Sequence, residues 1–314
     1  MRNGGESNRM QRTGGWRGLA AGATAIAALL LVVPAQAASY ATPEAAMQAF
    51  RSALEPPDPS ALLDLFGRQY EADLLGGDPA AARQGYEALQ RAAAESITVE
   101  TEGPERAVIV MGRRGWPMPV SLVRGADGWS FDAAAGVEEI KDRRIGRNEL
   151  SAIEFCDAYM DAQREYAGAD HDDNDVLEYA QRIESTPGKR DGLYWADEGD
   201  GSVSPLGPLV AGAEQYLGYR KAGEPYRGYY FRILTRQGAN PPVGKYDYVI
   251  NGHMLAGFVL LAWPADYGHS GVMTFQCSHH GGIFQKDLGA ATGTLAAKIT
   301  ADDPDKTWSV VPQD

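Results

Sequence analysis

One stretch of the sequence, residues 148–166, has the apolar periodicity of a helix that buries one side in a protein core. On a wheel of about 100° per residue, its apolar side chains form two adjacent stripes that together cover half of the circumference. Cys156 and Gln163 lie within that half, and acidic side chains occupy the other. A second layer must therefore cover this helix, and Gln163 needs hydrogen-bond partners there.

The last hundred residues supply a suitable second layer, because apolar and polar side chains alternate there with the period of a β-strand. We predict strands at residues 229–235, 246–250, 254–263, 271–277 and 282–286. Asn251-Gly252 predicts a hairpin turn between the second and the third strand. The pattern favours a helix packed on an antiparallel sheet.

The two cysteines of the chain fall on the sides of these elements that should face each other. Cys156 lies in the apolar half of the helix, and Cys277 shares a strand face with Met273 and Phe275. In an oxidising compartment they can form a disulfide that joins the helix to the sheet. The alternative is a pair of buried thiols that act as small hydrophobic side chains.

The first 37 residues have the three parts of a secretory leader. Four arginines precede an apolar run at residues 19–33, which is followed by Pro34-Ala35-Gln36-Ala37. The run is shorter than the roughly 20 residues needed to cross a bilayer, so we expect cleavage near Ala37. The mature chain is then expected in the periplasm or outside the cell, without a transmembrane segment.

The charge of the chain argues against one class of partner. The whole chain has a net charge of −13, and the leader contributes +3, which leaves about −16 for the mature protein. Binding to phosphates requires clustered Lys and Arg, so nucleic acid is not an expected partner.

Residues 38–136 predict a separate α+β domain. Helices are expected at residues 43–54, with Thr42 as the N-cap, and at residues 60–66 and 79–94. Short strands are expected at residues 97–102, 106–112, 116–123 and 129–132. This order of helices and curved antiparallel sheet resembles the NTF2-like fold. A polar helix at residues 137–144, ended by a break at Gly146, is predicted to open the second domain, residues 137–314.

Four runs of residues resemble a family of exported bacterial proteins known as domain-of-unknown-function family 2950. The runs are RRIGRNEL at residues 143–150, DGLYW at 191–195, SPLGP at 204–208 and GVMTF at 271–275. They occur in order along nearly the whole mature chain. Because no activity is established for that family, the resemblance implies none for this chain.

The second half of the chain is similar, more distantly, to the globular domain of type IV pilin-like proteins. The matching runs are NELSAI at 148–153 and AQREY at 162–166 in the helix, and WP at 263–264, YG at 267–268, SG at 270–271 and TF at 274–275 in the terminal strands. The resemblance implies a pilin-like helix on an antiparallel sheet. Pilins carry a long apolar helix directly before this domain, whereas residues 38–136 precede it here, so polymerisation by the usual route is not expected.

An acidic segment offers oxygen ligands to a hard cation, and calcium takes about six to eight of them. The candidate ligands are Asp170, Asp172, Asn174 and Glu178. The EF-hand pattern is not matched, because Asp175 stands at its glycine position and Gln181 at its terminal glutamate. The other interpretation is a solvated acidic turn before a helix that begins near Val176. No other cofactor is expected.

Two aromatic groups suggest a binding surface. Asp191, Tyr194 and Trp195 follow one another closely, and Tyr229 lies among the aromatic residues at 226–231. Such amphipathic rings can line a groove for a glycan or a peptide. Aromatic residues are also common in strands, where they build the core.

The sequence shows no convincing set of acid, base and nucleophile. Ser270 follows Gly268-His269, but Val272 stands where a serine-hydrolase elbow needs glycine. We therefore expect a non-enzymatic binding or interaction protein of the envelope, with an unknown protein, peptide or glycan as its partner. The alternative is an envelope hydrolase that acts on a glycan or peptide through Asp191, Asp266 and His269.

Overall fold

The computed structural model describes residues 38–171, 175–196, 201–210 and 223–312. The predicted leader, with its cleavage site at Ala37, lies outside these residues, and export stays a prediction. Helices and antiparallel sheets make up the described part, which confirms the α+β class. Within these ranges, no helix has both the length and the apolar character needed to cross a membrane.

The first part of the fold places helices beside an antiparallel sheet. The helices are α1 (Pro43–Ala53), α2 (Ser60–Phe66), α3 (Glu71–Leu75) and α4 (Pro79–Glu95). The strands are β1 (Ile97–Thr101), β2 (Arg106–Met111), β3 (Trp116–Pro117), β4 (Leu122–Gly125) and β5 (Gly128–Phe131). Their order is β1-β2-β4-β5, and β3 also pairs with β2. The helices predicted at residues 43–54, 60–66 and 79–94 are confirmed.

One predicted strand of this sheet is wrong in detail. Residues 116–123 form two strands instead of one, because Pro119 has no N–H to donate to a ladder. The chain bends there and buries Val120 completely. A cluster of aromatic rings closes the core beneath the sheet, with Phe66 and Phe131 packed edge to face at 5.4 Å.

A single helix, α5 (Ala133–Tyr166), connects this part to the rest of the chain over 34 residues. The break predicted at Gly146 is therefore wrong. One glycine inside a helix costs only about 1 kcal/mol, and the packing of both helix ends offsets that cost. The domain boundary predicted after residue 136 lies within the first turn of α5, and the division into two domains stays a prediction.

The second part is built on a larger antiparallel sheet. Its strands are β6 (Tyr229–Leu234), β11 (Val259–Pro264), β12 (Met273–Ser278), β13 (Ile283–Asp287) and β14 (Ser309–Val310). They are ordered β14-β13-β12-β11-β6. The smaller elements are β7 (Arg236–Gln237), β8 (Tyr246–Asp247), β9 (Val249–Ile250), β10 (His253–Met254) and helices α6 (Gly207–Val210) and α7 (Thr292–Lys298).

Two of the long strands predicted here are interrupted. Residues 254–263 divide into β10 and β11 at Gly257, whose φ of +151° and closely packed His279 ring leave no room for a side chain. Residues 246–250 divide into β8 and β9 at Tyr248, whose N–H donates to Thr235 O at 2.8 Å. The hairpin at Asn251-Gly252 is confirmed, since both residues have positive φ and β9 pairs with β10 across them.

The second half of α5 covers one face of the large sheet, as the periodicity predicted. Cys156 and Cys277 are joined by a disulfide, with Cα atoms 5.8 Å apart, which confirms the predicted connection between helix and sheet. Gln163 is completely buried, and its amide both donates to and accepts from the backbone of Ala180 at 2.8 Å. The requirement for partners at this position is thereby met.

The opposite face of the sheet is covered by α7. Arg232 projects from β6 to this side and donates to the carbonyls of Ala296 and Ile299 at 2.7 and 2.8 Å. Ala296 is completely buried against the sheet. The sheet therefore lies between a long helix on one face and a short one on the other.

The disulfide is expected to contribute a large share of the stability, because it closes a loop of 121 residues. Replacing both cysteines (Cys156→Ala with Cys277→Ala) should lower the free energy of unfolding by about 2–5 kcal/mol. Urea unfolding with and without dithiothreitol measures the effect. The reductant should destabilise the native protein and leave the double variant unchanged; equal unfolding midpoints for the native protein in both conditions would contradict the bond.

Two glycines of α5 should respond to alanine in opposite directions. A Cβ at Gly146 would meet no atom within 4 Å, so Gly146→Ala should stabilise the protein by about 0.5–1 kcal/mol. A Cβ at Gly136 would lie 2.5 Å from Val120 Cα, so Gly136→Ala should destabilise it by about 1–3 kcal/mol. Urea unfolding of the two variants tests whether the helix is continuous. If Gly146→Ala were less stable than the native protein, the helix would be interrupted at Gly146 as the sequence predicted.

Candidate functional site

Strand β6 lies at the edge of the large sheet and has one neighbour in it, β11. Just before the ladder begins, Ala265 donates its N–H to Gly228 O at 2.9 Å. Backbone groups alternate in direction along an antiparallel pair, so the N–H and C=O groups of Phe231 and Ile233 point away from β11. The outer side of β6 therefore presents main-chain donors and acceptors.

The turn before β6 supports this alternation. Tyr226 and Tyr229 donate their N–H groups to each other's carbonyls at 2.8 and 3.0 Å, across two residues of positive φ. That exchange uses the outward groups of Tyr229. The outward groups of Phe231 and Ile233 have no hydrogen-bond partner in the part of the chain that the structure describes.

A groove of about 510 Å³ follows this open edge, a volume within the range of ligand pockets. Phe155 of α5 packs against Phe231 with ring centroids 4.2 Å apart, and the Tyr226 ring lies 5.7 Å from Phe155. Residues 181–184 and Tyr194 line the other side. Aromatic surface is thus available beside free main-chain groups.

The far wall of the groove is held by a parallel bridge between Glu184 and Tyr194. Tyr194 donates its N–H to Ile183 O, and Ser185 donates its N–H to Tyr194 O, both at 2.8 Å. These bonds hold the two segments of the wall, residues 183–185 and Tyr194, in a fixed arrangement. A rigid wall of this kind is suited to a groove that exists before its ligand arrives.

Asp191 stabilises the turn next to this wall through hydrogen bonds to Thr186. Burial alone would raise the pKa of Asp191, but hydrogen bonds from the N–H and the hydroxyl of Thr186, and the charge of Arg182, hold it below its ordinary value. The carboxylate is thus ionised and fully engaged in a turn. It has a structural role in the wall and does not line the groove.

Of the predicted binding residues, Tyr194 and Tyr229 line the groove. Tyr229 is almost completely buried, and its hydroxyl donates to Met273 O at 2.9 Å, so it forms part of the floor. Trp195 faces another way: its ring lies 5.6 Å from the ring of His171, and its N–H donates to Ser202. The groove residues Phe231 and Tyr226 belong to the aromatic run 226–231 that the sequence pointed to.

Asp266 and His269 are brought together, with Asp73 as a partner that the sequence did not predict. The Asp266 Oδ1 atom lies 3.3 Å from His269 Nδ1, and Asp73 Oδ1 lies 3.2 Å from His269 Nε2. Among the described residues, Asp191 bonds to Thr186 and Arg182 and forms no ion pair with His269. Asp266 and His269 are thus in contact, Asp191 is engaged elsewhere, and the hydrolase activity stays a hypothesis.

Arg144 gives this cluster a structural role. Its guanidinium donates to the carbonyls of His269 and Leu74, each at 3.0 Å, and to that of Asp73. Burial lowers the pKa of Arg144, while the carboxylates of Asp73 and Asp266 act in the opposite direction. The cluster connects the helices of the first part to the turn that precedes β12.

Two of the candidate calcium ligands, Asp172 and Asn174, lie outside the described residues. Glu178 accepts hydrogen bonds from His253 Nδ1 at 2.8 Å and from Met254 N–H at 3.0 Å, and Asp170 accepts one from the N–H of Asp175 at 2.8 Å. The helix expected near Val176 is wrong, since residues 175–196 contain no helix. Calcium binding stays a prediction.

A buried polar cluster was missed by the sequence analysis. His279 and His280 follow β12, and their ring centroids lie 4.0 Å apart. Asp302 is 2% exposed and accepts a hydrogen bond from Tyr248 at 3.3 Å. Burial raises the pKa of Asp302, against the opposing effects of Ser278, Tyr248 and the two histidines. Tyr248, the segment 278–280 and Asp302 lie more than 20 positions apart from one another in the sequence, and no motif joins them.

The raised pKa of Asp302 predicts a pH dependence of stability. Its favourable contribution is complete below the ordinary pKa of an aspartate, about 3.9, and is lost as the pH rises through the higher pKa of the folded state. Asp302→Asn should therefore increase the free energy of unfolding at pH 7–8 and have little effect near pH 4. Urea unfolding at both pH values measures this difference.

Asp305 provides the matched control, because hydrogen bonds from Thr307 lower its pKa. Its contribution is present at neutral pH and is lost as the pH falls, so Asp305→Asn should have the opposite pH dependence. If the two substitutions changed the free energy of unfolding with the same pH dependence, burial of the Asp302 carboxyl would not be the cause of that dependence.

Comparison with known proteins supports one of the resemblances. Neither curated proteins nor solved structures gave a match, and the NTF2-like and pilin-like resemblances are not confirmed. A family model described as "protein of unknown function (DUF2950)" matches residues 37–311, which is most of the chain. The chain therefore belongs to the DUF2950 family.

Proposed function

We propose that the protein binds an extended peptide segment of an envelope partner, which pairs with the open edge of β6. The observation that carries the proposal is the pair of unused N–H and C=O groups at Phe231 and Ile233, beside a groove lined with aromatic rings. Peptides that add a strand to an exposed sheet edge obtain affinity from such main-chain groups.

The spacing of the free groups favours a polypeptide over a glycan. Alternate residues of one strand present a donor and an acceptor about every 6.8 Å, which is the repeat of a partner β-strand. A sugar chain does not supply alternating donors and acceptors with that repeat. Each main-chain bond contributes about 0.5–1.5 kcal/mol net, so the four groups support a modest affinity that side-chain contacts must increase.

The rings beside the edge provide those contacts. Successive side chains of an added strand point to opposite sides, so every second one would meet Phe155, Tyr226 or Phe231. Arg182 and Glu184 lie exposed on the far wall. We therefore expect peptides with aromatic or aliphatic residues at alternate positions.

Export belongs to the same proposal. The leader-like first 37 residues and the disulfide between Cys156 and Cys277 support a location in an oxidising compartment outside the cytoplasm. The partner would then be another envelope or extracellular protein.

The hydrolase alternative has weaker support. Asp191 lies apart from His269, and no free nucleophile lies beside His269 among the residues that the structure describes. The Ser270 hydroxyl accepts a hydrogen bond from Asp266 N–H at 2.9 Å and donates one to Asp266 O at 3.1 Å. That side chain closes a turn, and the groove remains the better supported site.

Peptide capture from a random library of displayed 12-residue peptides tests the proposal. Ile233→Pro removes one outward N–H from an edge position that tolerates proline, so it should weaken the selected peptides about tenfold or more. Ile233→Val keeps the N–H and is the matched control, expected to bind within about threefold. Affinities are measured by titration calorimetry.

Hydrogen exchange supplies the second measurement. The amides of Phe231 and Ile233 should exchange rapidly in the free protein and become protected when peptide binds. Peptides that bind Ile233→Pro as tightly as the native protein, without protecting these amides, would show that strand addition at β6 is incorrect.

A further inference from the structure

The face of the large sheet beneath α7 holds an unusual number of buried polar atoms without partners. Arg232 Nε, Thr274 Oγ1 and Gln276 Oε1 have no hydrogen-bond partner among the described residues. The strand register places all three side chains on this one face, since Arg232 and Gln276 both stand opposite Leu261. Buried polar groups are nearly always paired, so each of these atoms calls for a partner that the described residues do not supply.

A cleft of about 510 Å³ opens on this face, separate from the groove at β6. The sheet forms its floor with Gln276, which is only 2% exposed, and with Lys286. Helix α7 forms one wall with Leu295 and Lys298. The segment that leads into β14 forms the other, and its Trp308 ring lies 6.0 Å from Lys286 Nζ.

The chemistry of the cleft combines an aromatic ring with both donors and acceptors. Trp308 offers a flat apolar surface, and Lys298 and the Gln276 oxygen offer a donor and an acceptor. Lys286 already donates to Thr307 Oγ1 at 2.6 Å and Asp303 Oδ1 accepts from Asn240 N–H at 2.8 Å, which leaves further N–H groups on the first and a second oxygen on the other. A ligand that satisfies this set needs hydroxyl groups, which both donate and accept, and an apolar face that stacks on a ring. Sugars have both properties, and the volume suits one or two rings.

We propose that this cleft is a saccharide-binding site for a mono- or disaccharide, with Trp308 as the stacking platform and Gln276 as the buried acceptor. A sugar hydroxyl donates to Gln276 Oε1, and Lys298 at the rim donates to a peripheral oxygen. The site is independent of the peptide groove, because it lies on the opposite face of the sheet and shares no lining residue with it.

Titration of the full chain with a defined panel tests the site. The probes are galactose, N-acetylglucosamine, glucuronic acid, lactose, cellobiose and chitobiose, followed by calorimetry and saturation-transfer NMR. At least one should bind. Gln276→Leu should weaken it about tenfold or more, and should also raise the Tm of the free protein by roughly 2–4 °C, because an unpaired buried group is removed.

Two further variants keep the result interpretable if Gln276→Leu does not fold. Lys298→Ala changes an exposed side chain of α7 and should weaken binding about threefold. Lys306→Ala, an exposed lysine outside the cleft, should leave binding unchanged. The proposal is overturned if none of the six sugars binds, which would mean that the cleft holds water only, or if Gln276→Leu and Lys298→Ala bind as the native protein does.

Discussion

The fold depends on one contact, in which the second half of α5 covers one face of the antiparallel sheet. The Cys156–Cys277 disulfide holds this contact by a covalent bond, and the amide of Gln163 holds the same helix to the backbone of Ala180 by two hydrogen bonds. Because one helix can cover one face only, the other face needs α7 and the segment before β14. Both candidate sites lie beside these covering elements: the groove lies between α5 and the edge strand β6, and the cleft lies between α7 and the segment before β14.

The local parts of this arrangement could be predicted from the sequence. The apolar half of residues 148–166, the inward position of Cys156 and the Asn251-Gly252 hairpin all follow from periods of 3.6 and 2 and from turn chemistry. Gly146 was misjudged because a glycine weakens a helix by about 1 kcal/mol, whereas burial of side chains near both helix ends, such as Val137, Phe155 and Tyr159, contributes more. Helix propensity gives the energetic cost of this glycine correctly, but it contains no information on the tertiary packing that offsets the cost.

The sites could be predicted only in part, because they depend on strand order. Tyr194 and Tyr229 were identified from composition. The sequence does not reveal that, within the described ranges, β6 pairs with β11 only and that the main-chain groups of Phe231 and Ile233 stay free. The same limit applies to Asp302, which meets Tyr248 across 54 positions of sequence. Asp191 was grouped with His269 by residue type, although its own turn with Thr186 already uses the carboxylate.

Strand β6 connects the two proposed sites through its own alternation. Its odd-numbered residues, Phe231 among them, face α5 and the groove, whereas Arg232 faces Trp263 and α7. A peptide that pairs with the edge takes up main-chain groups in the plane of the sheet, and a sugar in the cleft meets side chains above the opposite face. Neither ligand would occupy the position of the other, so the same small sheet can hold both at once.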